Sequence, residues 1–131
     1  MSFKTPLRTE KVAEVSGLGR AQWRLLEPLI YDSAIAGRIE VPKGFTTDFA
    51  SVPRVPLAYW LTGDTAHASA VVHDYLCKQA KTTEDWQRAA DVFEEAMKAE
   101  QVPGWRRGLM ANAVRGADPF KTYDPNQENM A

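Results

Sequence analysis

One cysteine, Cys77, is the whole cysteine content of the chain. An internal disulfide and a cysteine-rich zinc knuckle are therefore excluded. No apolar run approaches the roughly 20 residues that a membrane-spanning helix needs, so no membrane span is expected. The opening residues, MSFKTPLRTEK, lack the apolar core of a secretory signal. Neither sign of charge dominates: 16 Lys and Arg stand against 17 Asp and Glu, for a formal charge of −1. A broad electrostatic footprint for nucleic acid or anionic lipid is not expected from such a balance. Internal repeats and low-complexity tracts are missing as well. At 131 residues, with 44% hydrophobic and 25% charged side chains, the composition excludes a disordered, collagen-like or coiled-coil chain. The expectation is one small soluble domain, 1–131, made in a cytoplasm.

What is present divides by texture. Most prolines and the β-branched and aromatic runs fall within residues 1–60, while 64–117 read as helix. Residues 1–20 are polar, carry Gly17 and Gly19, and read as an arm or irregular lead-in. In the β region, 21–60, Trp23 to Tyr31 reads as a strand, with Pro28 marking an edge or bulge. Arg38–Ile39–Glu40–Val41 alternates polar and apolar, the period of a half-buried strand. Pro42–Lys43–Gly44 turns the chain, and Phe45 to Val52 is a third extended piece stopped by Pro53.

The helical region, 64–117, opens after Gly63, with Asp64 or Thr65 as N-cap. Ala68, Val71, Val72, Tyr75 and Leu76 then recur at helical spacing. Thr82 with Asp85 forms a capping-box pattern. It begins a second helix, about Glu84 to Glu100, whose apolar stripe is Trp86, Ala89, Ala90, Phe93, Ala96 and Met97. Pro103 starts a third helix, lined by Trp105, Leu109, Ala113 and Val114 and ended by Gly116 and Pro119. The short link between the first two helices makes them an antiparallel αα-hairpin. Residues 118–131 form a polar tail. The fold class expected is α+β: a small antiparallel sheet of two or three strands packed on a three-helix unit.

The most pointed chemical feature is His73–Asp74 in the middle of an apolar helix. Burying either side chain without a partner costs on the order of 1–3 kcal/mol. Imidazole can act as a general base near neutral pH, and a carboxylate can hold a hard cation such as calcium. The alternative is a buried histidine making one hydrogen bond beside an aspartate that meets solvent. A zinc pair with His67 is disfavoured, because six residues at 100° each place the two imidazoles about 240° apart. Asp48 and Ser51 are suited to capping local backbone N–H groups, with Asp48 also a partner for His73 or for Arg115. No Gly-x-Ser-x-Gly context surrounds Ser51. Asp91 is level with His73 across the hairpin, but its helical phase aims it away from the stripe. Cys77 lies one turn after His73 and reads as a small hydrophobe.

Taken in order, Phe45–x–Thr47–Asp48–Phe49–Ala50–Ser51–Val52–Pro53, His73–Asp74–Tyr75–Leu76, Ala90–Asp91–x–Phe93, Ala96–Met97, Arg107 and Ala113–Val114–Arg115 form a recurrent pattern. It resembles a family of small phage and prophage proteins named domain of unknown function 1353. That resemblance covers roughly 38–117 and implies a viral or prophage origin, with synthesis in a host cytoplasm. A second, local resemblance is to the His-Asp helix of phospholipases A2. It implies His73 as general base, Asp74 as calcium ligand and Asp91 as the carboxylate orienting His73. Cys77 stands where that pattern has tyrosine, Asp91 lies two residues before Phe93 rather than three, and no glycine-rich calcium loop precedes the helix.

Two functions follow as expectations. The first is an accessory or structural phage protein, tail-associated in the virion, whose partners are other phage structural proteins or a second copy of itself. The second is a hydrolase, with calcium as its candidate cofactor, acting on envelope lipid or ester through His73, Asp91 and Asp48 with Asp74 as metal ligand. The two separate on one point of geometry: whether the imidazole meets a carboxylate and an open cleft, or is sealed by apolar side chains.

Overall fold

Leu29, Tyr31 and Ser33 are buried while Ile30 and Asp32 between them are half-exposed, the two-residue period of a strand with one face on a core. A computed structural model of the chain describes residues 1–15, 20–47 and 67–120. Among these, six strands precede three helices: β1 Ser2–Phe3, β2 Thr9–Val15, β3 Arg20–Leu25, β4 Leu29–Ser33, β5 Gly37–Val41 and β6 Thr46–Thr47, then α1 His67–Gln79, α2 Thr83–Ala99 and α3 Gly104–Gly116. The class is α+β, as expected, with the strands in two antiparallel sheets ordered β1-β4-β5 and β2-β3-β6.

The two sheets share one register. Phe3 pairs with Tyr31 and Thr9 with Leu25, so six steps forward on one strand match six steps back on its partner. The other side behaves alike, with Leu29 opposite Val41 and Trp23 opposite Thr47. Backbone bonds bridge the gap: Lys4 N donates to Ile30 O at 2.8 Å, Leu26 N to Arg8 O at 2.9 Å and Leu25 N to Phe45 O at 2.9 Å. The sheets are thus two halves of one three-stranded meander with a sharp bend. Pro6, Pro28 and Pro42 all fall at the bend, where a missing N–H breaks the ladder. Thr5 repairs it: its hydroxyl donates to Pro28 O at 3.1 Å and accepts from Ile30 N at 2.9 Å. Gly44 follows with φ +88°, a turn conformation that favours glycine.

The polar start, expected as an irregular lead-in, instead supplies β1 and β2. Hydrophobic period is a poor guide there because β2 is an outer strand with Glu10, Lys11 and Val12 exposed. Its order comes from backbone pairing and from the ion pair between Arg24 and Glu10, directly opposite in register. Of the third extended piece, Thr46–Thr47 is the part described as strand, while Asp48 to Val52 and the candidate caps Asp64 and Thr65 lie outside the described residues.

The helices stack on the sheet in layers. α1 and α2 are the expected antiparallel hairpin, joined by Ala80–Lys81–Thr82. Thr82 is the N-cap of α2, its hydroxyl accepting from Asp85 N at 3.1 Å, and Asp85 reaches back to Lys81 N at 3.0 Å. One core cluster joins the sheet to the hairpin through Leu25, Leu29, Tyr31, Ile39, Val41, Val71, Val72, Val92 and Ala96. The other joins the hairpin to α3 through Ala70, Ala90, Phe93, Met97, Val102, Met110, Ala111 and Val114. Because the hairpin is covered on both sides, α1 is buried at every position from Ala68 to Asp74. Glu95 fastens sheet to α2: it accepts from Tyr31 OH at 2.6 Å and from Ala34 N at 3.1 Å. Burial and that carboxylate push the Tyr31 hydroxyl pKa far above its ordinary value.

α3 differs from expectation in its facing. Arg106, Met110, Ala111 and Val114 are buried, whereas Trp105 is 66% and Leu109 51% exposed. Trp105 and Leu109 belong to a stripe more than 90° away from the one that packs, so only Val114 of the expected core-facing set is fully buried. Met110, Ala111 and Val114 instead share one core cluster with Ala90 and Phe93 of α2.

Candidate functional site

His73 sits in the middle of α1 and is 0% exposed. Its ring stacks on Phe93 of α2, centroids 4.7 Å apart and 28° between planes, and meets Trp86 edge-on at 6.2 Å. The helical repeat puts Cys77 one turn along the same face, with Sγ 3.2 Å from His73 Nε2. Burial lowers the His73 pKa to about 4, because a charged imidazolium would have to leave water. Burial first, and then the Asp74 carboxylate, push the Cys77 thiol up to about 12. At neutral pH the pair is therefore a neutral imidazole beside a neutral thiol.

Asp74 points elsewhere, since adjacent helical residues diverge by about 100°. It is 7% exposed, and its Oδ2 lies 3.3 Å from Lys78 Nζ, an i to i+4 ion pair. The contact lacks hydrogen-bond geometry, so Oδ2 accepts no hydrogen bond. Lys78 Nζ donates instead to Thr46 O at 3.1 Å and lies 4.7 Å from the centre of the Phe45 ring. The ammonium thus ties the far end of the sheet to α1. A calcium ion takes six to eight oxygen ligands. Around Asp74 the described residues offer one carboxylate whose charge Lys78 already meets, and a Thr46 carbonyl already in use. They do not fit that ion, and no described group of three or more His, Cys, Asp or Glu is placed to hold a metal.

Asp91 lies where its helical phase aims it, on the face of α2 away from His73. It is bound by Arg115 of α3 at 2.9 Å, and the same guanidinium reaches Glu94 at 2.6 Å. A surface cleft of about 420 Å³ runs beside these groups, lined also by Glu95, Lys98 and Arg107. Neither His73 nor Asp74 lines it. The structure thus brings His73 together with Cys77, Asp74 with Lys78, and Asp91 with Arg115, and does not bring Asp91 to His73. Asp48, the other candidate, lies outside the described residues.

Two partners escaped the sequence reading. Lys78 was legible as an i+4 cation after Asp74. Glu95 was not, because its partner Tyr31 is 64 residues away and no local period connects them. In chemical terms the described arrangement packs an imidazole rather than presenting one. A general base needs a path to its proton and a pKa near the working pH, and His73 has neither among these neighbours.

Compared with known proteins, residues 23–114 match one family model, described as a protein of unknown function (DUF1353). No curated protein and no solved structure matches the chain.

Proposed function

This chain belongs to the DUF1353 family of proteins of unknown function, and from that premise we propose that it is an accessory or structural protein of a phage particle, tail-associated, in which His73 is a packing residue. The single observation that carries the non-catalytic part is the sealed imidazole, stacked on Phe93 and closed off by Trp86. Its Nε2 lies 3.2 Å from the Cys77 thiol. The pairing of Asp91 with Arg115 and of Asp74 with Lys78 supports the same reading, since both carboxylates serve to hold elements together. The phage setting is supported by the Thr47–Pro53 string taken with His73–Asp74.

The test is mass spectrometry of purified particles from a phage encoding this chain. The chain is expected at a fixed copy number per particle. Its absence from particles, together with normal infectivity of a deletion phage, would overturn the proposal. A parallel measurement addresses chemistry. Purified protein should show no phospholipid or ester hydrolysis above a buffer blank, with or without added calcium. Turnover that His73→Leu abolishes in a folded chain would sink the packing role.

A further inference from the structure

Along α2, Asp91, Glu94, Glu95 and Lys98 recur at spacings of three and four, one face of a helix. That face lines the surface cleft of about 420 Å³ together with Arg107 and Arg115 of α3 and Ile35 of the β4–β5 turn. Three carboxylates and three cationic side chains therefore meet there, and the carboxylates are already engaged. Arg115 Nη2 donates to Asp91 at 2.9 Å and to Glu94 at 2.6 Å, and Glu95 accepts from Tyr31 OH and Ala34 N. Glu94 followed by Lys98 is the i to i+4 order that commonly pairs on a helix. Glu94 turns to α3 instead, and Lys98 meets no carboxylate among the described residues. Arg107 is half-buried and likewise meets none among them; its Nη1 donates to Val102 O at 3.1 Å. We propose that Lys98 and Arg107 form a binding site for the phosphate group of a small organic phosphate monoester.

The turn between α2 and α3 fixes the bases of both side chains. Lys98 O accepts from Gln101 N at 3.0 Å, Val102 N donates to Met97 O at 3.0 Å, and the carbonyl of that same Val102 holds Arg107. A phosphate monoester carries close to two negative charges at neutral pH and three strong acceptor oxygens. A guanidinium meets two such oxygens through parallel N–H groups, and an ammonium adds a point charge. Because Nη1 faces Val102 O, the Nε–Nη2 edge of Arg107 is the one left for an anion. A single carboxylate would leave one cation unmatched, so the dianion fits better. Ile35, 48% exposed, offers an organic body apolar contact, and the cleft volume is that of a small-molecule site. Extended anionic surfaces fit poorly. Asp91 and Glu94 keep 51% and 39% of their side chains exposed and would repel a bilayer or a nucleic acid laid across the cleft. A compact dianion needs only the Lys98 end, about 10 Å along the helix from Asp91. The site does not rest on association with a particle.

The test titrates the full chain with inorganic phosphate and with phenyl phosphate at constant ionic strength, followed by backbone amide NMR shifts. Shifts should saturate around Lys98, Val102 and Arg107, with a dissociation constant of about 1–10 mM for inorganic phosphate and one roughly threefold smaller for phenyl phosphate. Lys98→Gln, at an exposed position, should weaken binding roughly tenfold and leave the melting temperature in place. Arg115→Ala should weaken it too, by releasing Glu94 to pair with Lys98. Arg88→Gln removes an exposed cation of α2 that does not line the cleft and should leave binding unchanged. No saturable shift up to about 50 mM of either probe overturns the proposal. So does undiminished binding in Lys98→Gln, or an equal loss in Arg88→Gln. Equal affinity for the two probes overturns the assignment to an organic phosphate.

Discussion

Acid should unfold this protein through His73, and the size of the effect can be worked from its burial. In the unfolded chain the imidazole titrates near 6.5, and in the folded chain near 4, because burial excludes the charged form. Above pH 6.5 it is neutral in both states, and the stability from keeping it neutral is fully present. As pH falls below 6.5 the unfolded chain takes up a proton that the folded chain refuses. Stability is then lost progressively, and the loss is complete as pH falls through 4. At about 1.4 kcal/mol per pH unit, the whole effect is about 3 kcal/mol. The Cys77 thiol, pushed up to about 12, stays protonated throughout. Asp32, hydrogen-bonded by Arg38, and Asp85, hydrogen-bonded by the Lys81 amide, are held below the usual carboxylate range. Urea unfolding followed by tryptophan fluorescence, at steps from pH 7.5 to 4.5, measures the slope. His73→Leu keeps most of the volume and should lie within about 1.5 kcal/mol of wild type at pH 7. Between pH 7 and 4.5 the wild type should lose about 2–3 kcal/mol more than the variant does. Equal slopes would refute the sealed, neutral imidazole, and would return His73 to water and to candidate chemistry.

Three further outcomes are expected. Gln101 closes α2 with φ 65° while Val102 N donates to Met97 O at 3.0 Å, a left-handed cap that favours glycine, so Gln101→Gly should stabilise by about 0.5–1 kcal/mol and raise the melting temperature by a few degrees. Arg115→Ala and Asp91→Asn should each cost about 0.5–1 kcal/mol, the double variant scarcely more than either single one, and the His73 NMR titration should not move; a moved titration would restore Asp91 as its orienting group. Cys77 should be alkylated by iodoacetamide at pH 8 at least tenfold more slowly in the native chain than in urea, because its thiolate is scarce and half-buried; equal rates would contradict its place beside His73.

The hairpin of α1 and α2 was legible in the residues. Thr82 and Asp85 announce the cap, and Ala89, Ala90, Phe93, Ala96 and Met97 keep a helical period that only burial along one face explains. Val92 was missed because a helix covered on two sides needs a second stripe, which a single-face reading does not seek. The bend of the sheet was half legible. Pro28 and Pro42 mark where the ladder must break, but that the register survives the break depends on Thr5 reaching across to residues 28 and 30.

Local order, then, was written in the chain: where helices begin, which residues can span a turn, and that one imidazole and one carboxylate sit amid apolar neighbours. Those are short-range matters of period, caps and turn residues, and they need no knowledge of what packs against what. The partners were settled by the tertiary structure alone. Phe93 and Trp86 close over His73, Lys78 answers Asp74, Arg115 takes Asp91, and α3 turns Trp105 outward while Ala111 and Val114 join the core cluster with Ala90 and Phe93. Each of those outcomes depends on the approach of segments distant in sequence, where volume and burial compete between elements.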